Sequence, residues 1–249
     1  MAHSWACRLT PQVRLGIGTT ALVVTALAAR HDRVSRGEAR AFCAVNGLPD
    51  ALQVPAWAIM QLGTLGAVPA AAGAAWRADD RELAGLLLAS GTSTWALAKL
   101  VKQVVRRPRP AALLAGTRCR GREPAGLGYL SGHAGVAVAL GAAALPHLGP
   151  TGRALTVTAI PLVGLTRLYV GAHLPLDIAG GAALGLAVEA LVSMAKPGNR
   201  LAPRDTAPQP LTGRKPASRE PASQAIGRQS PFRNLGRKQI LQLGGFLRG

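Results

Sequence analysis

The chain has 249 residues, a formal net charge of +18 and a mean hydropathy of +0.21; 49% of its residues are hydrophobic and only 16% charged. That charged share lies below the quarter usual for soluble domains, the apolar residues run in long blocks, and the basic residues cluster. This pattern argues against a soluble nucleic-acid binder despite the charge, and predicts an integral membrane protein with basic loops and a basic tail.

Six apolar segments follow in chain order, at about 15–29, 54–76, 83–101, 134–148, 154–170 and 174–194. They predict an all-α bundle of six transmembrane helices over residues 1–194. Several segments are shorter than the roughly 20 residues a bilayer crossing needs, and borrow flanking residues. Alanine and glycine are frequent in all six, which suits close helix approach. The first segment has a second reading. Arg8 and Arg14 precede a short apolar stretch ending Ala26-Leu-Ala28, the pattern of a cleavable signal. The flank that starts at Arg30 fits a first retained helix better. From residue 195 to 249 the chain changes in kind. Pro197, Pro203, Pro208, Pro210, Pro216, Pro221 and Pro231 punctuate a Lys/Arg-rich stretch, which predicts a disordered basic tail.

Basic residues set orientation. The tail belongs in the cytoplasm by the positive-inside rule, and six crossings put the N-terminus there too. Loops at about 30–50, 102–130 and 170–174 then face outward. The 102–130 loop is itself basic, with Lys102, Arg106, Arg107, Arg109, Arg118, Arg120 and Arg122, against the rule. Charges kept there imply a chemical use. Cys7, Cys43 and Cys119 form no metal pattern. Cys43 and Cys119 fall on one side, where a disulfide is one option and two isolated thiols the other.

Three polar clusters edge the apolar segments. Lys102, Arg106 and Arg109 are spaced i, i+4, i+7, one face if the third helix continues, although Pro108 and Pro110 argue that it ends there. Arginine forks match phosphate oxygens and lysine adds a point charge. Binding of anionic lipid heads explains this cluster equally well. Ser131-Gly132-His133 precedes the fourth segment, where free helix N–H groups, a hydroxyl and a histidine make an anion site. The plain alternative is an N-capped helix with an interfacial histidine. In the third cluster Arg167 is followed by His173 and Asp177 at i, i+4. A carboxylate beside a histidine fixes its tautomer and leaves the other ring nitrogen nucleophilic. A structural His–Asp pair is the alternative, but ionisable groups at membrane depth are functional candidates by default. Glu189 is expected to snorkel or pair within the bundle, and Lys99 to reach the interface. Trp57, Trp76 and Trp95 read as interface or packing residues, and His147 carries no assigned role.

The order and spacing of the clusters resemble the phosphatidic acid phosphatase type 2 (PAP2) superfamily. Its pattern is Lys, six residues, Arg-Pro; then Pro-Ser-Gly-His; then Ser-Arg, five residues, His, three residues, Asp. The chain matches with Lys102, Arg109-Pro110, Ser131-Gly132-His133, Arg167, His173 and Asp177, and departs at Leu130 and Thr166, where the family has proline and serine. The resemblance implies a PAP2/haloperoxidase-like core and a phosphatase without metal or other cofactor, acting on a lipid phosphate at the outer face of a bacterial plasma membrane. In it His173 attacks phosphorus, Asp177 orients His173, and His133 protonates the leaving oxygen. Lys102, Arg109, Ser131, Gly132 and Arg167 hold the phosphate, and Arg106 or Arg107 stands behind them. No nucleic-acid partner is expected, and the oligomeric state is left open. A catalytically silent protein binding anionic lipid or partners through its tail is the alternative of a different class. Vanadate-dependent oxidation is a third, disfavoured by the apolar segments.

Overall fold

The computed structural model describes residues 9–30, 33–121 and 126–195, and among them the chain is helical with no strand. The tail expected beyond Ala195 lies outside the described residues, as do Cys7 and Arg122.

Helix α1 spans Pro11–Ala29 and opens on Thr10, whose hydroxyl accepts from the Val13 N–H at 3.4 Å. It lies along the last helix, α9 (Pro175–Ala195), with a Cβ at Gly18 falling 2.7 Å from the Ala187 nitrogen. Arg14 Nη2 meets buried Glu189 Oε1 at 3.3 Å, and Ser193 Oγ donates to the same oxygen at 2.7 Å. A carboxylate out of water costs several kcal/mol unless paired, and this pair offsets that cost. The pairing expected of Glu189 is therefore with Arg14.

The stretch expected to be the first outward loop contains a helix, α2 (Arg36–Asn46). Ser35 caps it by accepting from the Glu38 N–H at 3.1 Å. Its buried residues are Glu38, Phe42 and Asn46, one face at i, i+4, i+8. The Ser-x-x-Glu capping signal was in the sequence.

The second apolar segment is not one helix. It is α3 (Gln53–Met60) and α4 (Ala67–Arg77), joined through a 3₁₀ turn at Gln61–Gly63 and bent by 66°. Gly63 and Gly66 are poor helix formers, and Thr64 turns extended while its hydroxyl donates back to the Gln61 carbonyl at 2.8 Å. The bend fits a tight place. A Cβ at Gly63 would lie 2.5 Å from the His133 carbonyl oxygen and 2.8 Å from Val163 Cγ1.

Helix α5 (Arg81–Val105) starts on Asp80, which accepts from the Leu83 N–H at 2.9 Å. It stops at Arg106, whose φ of 56° is left-handed. One turn, α6 (Pro110–Leu113), follows. Helix α7 is Gly132–Ala144, continued by a 3₁₀ turn at Leu145–His147, and α8 is Pro150–Tyr169. Among the described residues, three stretches suffice by length and composition to cross a membrane, Pro11–Ala29, Arg81–Leu113 and Pro175–Ala195, or four if the bent pair counts as one. Lys99 stacks on Trp95 and Arg81 on Trp76, at 3.5 and 5.0 Å from the ring centroids. Cys43 and Cys119 are both free and exposed.

Glycines let α7 and α9 touch. A Cβ on Gly135 would stand 3.0 Å from the Gly181 carbonyl oxygen, one on Gly185 would run into the Gly135 carbonyl, and one on Gly181 into the Ser131 carbonyl. Backbone contact of this kind is how helices associate without a hydrophobic drive. It brings the start of α7 against the start of α9, where Ser131 N–H donates to the Asp177 carbonyl at 2.8 Å.

Candidate active site

Because α5 ends at Val105, Lys102, Arg106 and Arg109 do not share a helical face. Arg106 is exposed and donates to the Gln103 carbonyl, while Arg107 turns inward and is fully buried. Of the two arginines that sequence left open, Arg107 is the buried one.

Lys102 points from the last turn of α5 at the segment leading to Ser131. Its ammonium donates to the carbonyls of Leu127, Gly128 and Leu130 at 3.2, 3.3 and 2.6 Å. Its three donors are thus committed to backbone, and its charge is what it offers a ligand. Arg109 Nε donates to the Gly126 carbonyl at 3.1 Å and Nη1 to the Ala172 carbonyl at 2.8 Å. This fastens the first cluster to the loop that carries His173. Ser131 is buried and caps α7, accepting from the Ala134 N–H at 3.4 Å. Gly132 is the first residue of α7 and His133 follows, half-buried.

Arg167, in the last turn of α8, donates through Nη1 to the Met60 sulfur, and its buried Nε has no hydrogen-bond partner. A thioether is a weak acceptor, so this guanidinium is under-satisfied. His173 sits in the turn between α8 and α9, its N–H donating to the Arg167 carbonyl at 3.3 Å. His173 Nδ1 lies 3.7 Å from Asp177 Oδ2, an electrostatic contact just beyond hydrogen-bond reach. Asp177 Oδ2 accepts from the Leu174 N–H at 2.8 Å, which fixes the carboxylate at the start of α9. Burial pushes the His173 ring down to about 4, against the pull of Asp177 and with help from Lys102 and Arg167. The imidazole is therefore neutral, with its lone pair available, at neutral pH. Arg167, His173 and Lys102 all stand within electrostatic reach of His133, and Arg109 and Arg167 within reach of Lys102.

The structure thus gathers Lys102, Arg109, His133, Arg167, His173 and Asp177 into one region fed by the ends of α5, α8 and the starts of α7 and α9. Two charged residues were missed or left unresolved. Arg107 Nη1 donates to Asp177 Oδ1 and to Glu38 Oε1, both at 3.0 Å, and Nη2 donates to Glu38 Oε2 at 2.8 Å. Glu38 comes from α2, far off in sequence, and only the buried i, i+4, i+8 face hinted at it. The basic loop is accounted for partly by structure. Arg120 donates to the carbonyls of Asn46, Tyr169 and Leu48 and to Asp50, while stacking 4.1 Å above the Tyr169 ring.

A groove of about 1110 Å³ runs between α4, α5, α7 and α8. It begins at Gln61 and Leu62, beside the Gly63 contact with His133, and reaches the Asp80–His147 pair at its other end. Its walls are mainly alanine and leucine, and none of the charged cluster lines it.

A kinked helical bundle, with stretches long and apolar enough to cross a membrane, presents this constellation at its helix ends. Residues 82–200 match the model of the PAP2 superfamily. A 97-residue stretch is 38% identical to the decaprenylphosphoryl-5-phosphoribose phosphatases of two Mycobacterium tuberculosis strains, CDC 1551 / Oshkosh and ATCC 25618 / H37Rv. It covers 39% of this chain, and the chain spans about half the length of those curated relatives, 52%. Among solved structures the fold is similar to Aquifex aeolicus LpxE, with a TM-score of 0.58, 20% identity, and 64% of this chain and 96% of that chain covered. It is similar also to a PAP2-type phosphatidylglycerolphosphate phosphatase of Bacillus subtilis, with a TM-score of 0.54, 20% identity, and 71% and 94% covered.

Proposed function

We propose that this protein is a membrane phosphohydrolase that removes phosphate from a lipid phosphate or prenyl (di)phosphate through a phosphohistidine. The observation that carries the reading is His173, buried and neutral, facing Asp177 at 3.7 Å with Arg167 and Lys102 beside it. The His173 Nε2 lone pair forms the bond to phosphorus, and the P–O ester bond breaks with its pair leaving on oxygen. His133 gives that oxygen a proton. Asp177, 3.7 Å from Nδ1, balances the charge on the ring. Water, giving a proton to His133, then displaces phosphate, and the N–P pair returns to Nε2. Arg109, Arg167, Ser131 and the Gly132 N–H hold the phosphate oxygens, and Lys102 adds charge.

The decaprenyl-linked substrate named for the mycobacterial relatives favours a prenyl carrier. The alanine-walled groove starting beside His133 supports an apolar chain lying within the bundle. In this reading the six apolar segments all cross a bacterial plasma membrane, with the broken α3–α4 as one crossing. The active site is on the outer face and both termini are cytoplasmic. The packing of α1 on α9 supports a retained first helix. The test is phosphate release from a panel of lipid phosphates, with EDTA present, for wild type and His173→Ala. Loss of more than about a thousandfold in the variant is expected, and activity untouched by the substitution sinks the mechanism. Membrane-impermeant labelling of a cysteine placed at Gly121 tests orientation; labelling only after permeabilisation reverses it.

A further inference from the structure

We propose that Arg107 and Glu38 are positioning residues for the phosphoryl-transfer step, a buried ion bridge that sets how the Asp177 carboxylate is presented to His173. The inference rests on the phosphohydrolase reading and deepens it. Arg107 is wholly excluded from solvent, and its guanidinium joins two carboxylates rather than one. The resulting trio, Glu38, Arg107 and Asp177, carries a net charge of −1. Arg107 Nη1 takes Asp177 Oδ1, which leaves Oδ2 to the Leu174 N–H and the His173 ring. The division of oxygens fixes the carboxylate in two directions at once. Glu38 is fixed in turn, since its Oε1 also accepts from the Leu176 N–H at 3.2 Å.

Each member has a distinct job by charge alone. Without Glu38, Arg107 faces Asp177 as its sole anion and neutralises the charge that His173 needs when it becomes cationic. Without Arg107, two carboxylates share one buried site, which like charges avoid by protonation or by moving apart. Either way Asp177 no longer meets His173 as an oriented anion. Arginine rather than lysine suits the place because a planar fork can serve two carboxylates at fixed angles.

The experiment uses the full chain in detergent micelles with dioctanoyl phosphatidic acid as probe, reading kcat and KM separately beside the melting temperature. Arg107→Met is expected to lower kcat by about a hundredfold, the scale of an ångström of misplacement at a reacting group, with KM changed less than about threefold. Glu38→Gln is expected to lower kcat by roughly tenfold. Arg107→Lys restores only part of the loss. The double variant Arg107→Met/Glu38→Gln is expected to be more active than Arg107→Met, because it removes the buried unpaired Glu38 charge. Variants that lose melting temperature while kcat stays within about twofold of wild type would overturn the inference and leave a scaffold contact. If Arg107→Met does not fold, Glu38→Gln decides on the same criterion. A wild type inactive on this probe and on the whole panel of lipid and prenyl phosphates removes the phosphohydrolase reading and this inference with it, whereas an active wild type with indifferent variants overturns this inference alone.

Discussion

Replacing Lys102 by methionine separates two roles that the family pattern merges. In the structure the ammonium is a three-way tie to the Leu127, Gly128 and Leu130 carbonyls, immediately before Ser131. Hydrogen bonds to a charged group contribute roughly 1.5–3 kcal/mol each, and carbonyls left unpaired cost about 1–3 kcal/mol apiece. One ammonium cannot give all three full value, and removing it relieves the cost of desolvating a half-buried cation. A net loss of about 3–5 kcal/mol follows, close to that of breaking a buried ion pair. At roughly 2–4 °C per kcal/mol for a domain of this size, the melting temperature should fall by about 6–20 °C. The assay is thermal unfolding of the detergent-solubilised chain followed by intrinsic fluorescence, beside vanadate affinity as a measure of the phosphate site. Lys102→Met should lose both, because the loop shapes the start of α7. An unchanged melting temperature with vanadate affinity lost would refute the tie and leave Lys102 a plain phosphate ligand.

Gly185→Ala should drive α7 from α9, since its Cβ meets the Gly135 carbonyl. A destabilisation of about 1–3 kcal/mol in thermal unfolding is expected, with kcat falling more steeply than stability as Ser131 parts from Asp177. For His173, the folded ring titrates near 4 and the unfolded one near 6.5. The unfolded chain therefore takes up a proton the folded chain refuses between those values. The stability contribution is complete above 6.5 and is lost as pH falls toward 4. His173→Gln should flatten the pH dependence of the melting temperature across that window, and identical slopes in wild type and variant would contradict it.

Much of the helical plan could be read from the chain because apolar runs and capping residues act locally. Thr10, Asp80 and Ser131 each start a helix where a side-chain oxygen can satisfy an orphan N–H. The break at Gln61–Gly63 was not legible, since an apolar run bounded by similar residues reads the same whether straight or bent. Helix α2 was missed for a related reason. Its apolar content is low, and its buried face consists of Glu38, Phe42 and Asn46, of which two are polar and are satisfied only by distant partners.

Spacing and the family resemblance together singled out His133, His173, Asp177, Arg109 and Arg167 as candidates, and i, i+4 geometry and helix-end placement are properties of the local chain. Which charges face a phosphate and which face the protein is decided only in three dimensions. Lys102 spends its donors on carbonyls some 25 to 28 residues on, and Arg107 reaches Glu38 and Asp177 some 70 residues away on either side. A left-handed residue at Arg106 turns one arginine out and the next one in. No periodicity encodes that choice, since it depends on where a buried cation finds carboxylates to offset its desolvation.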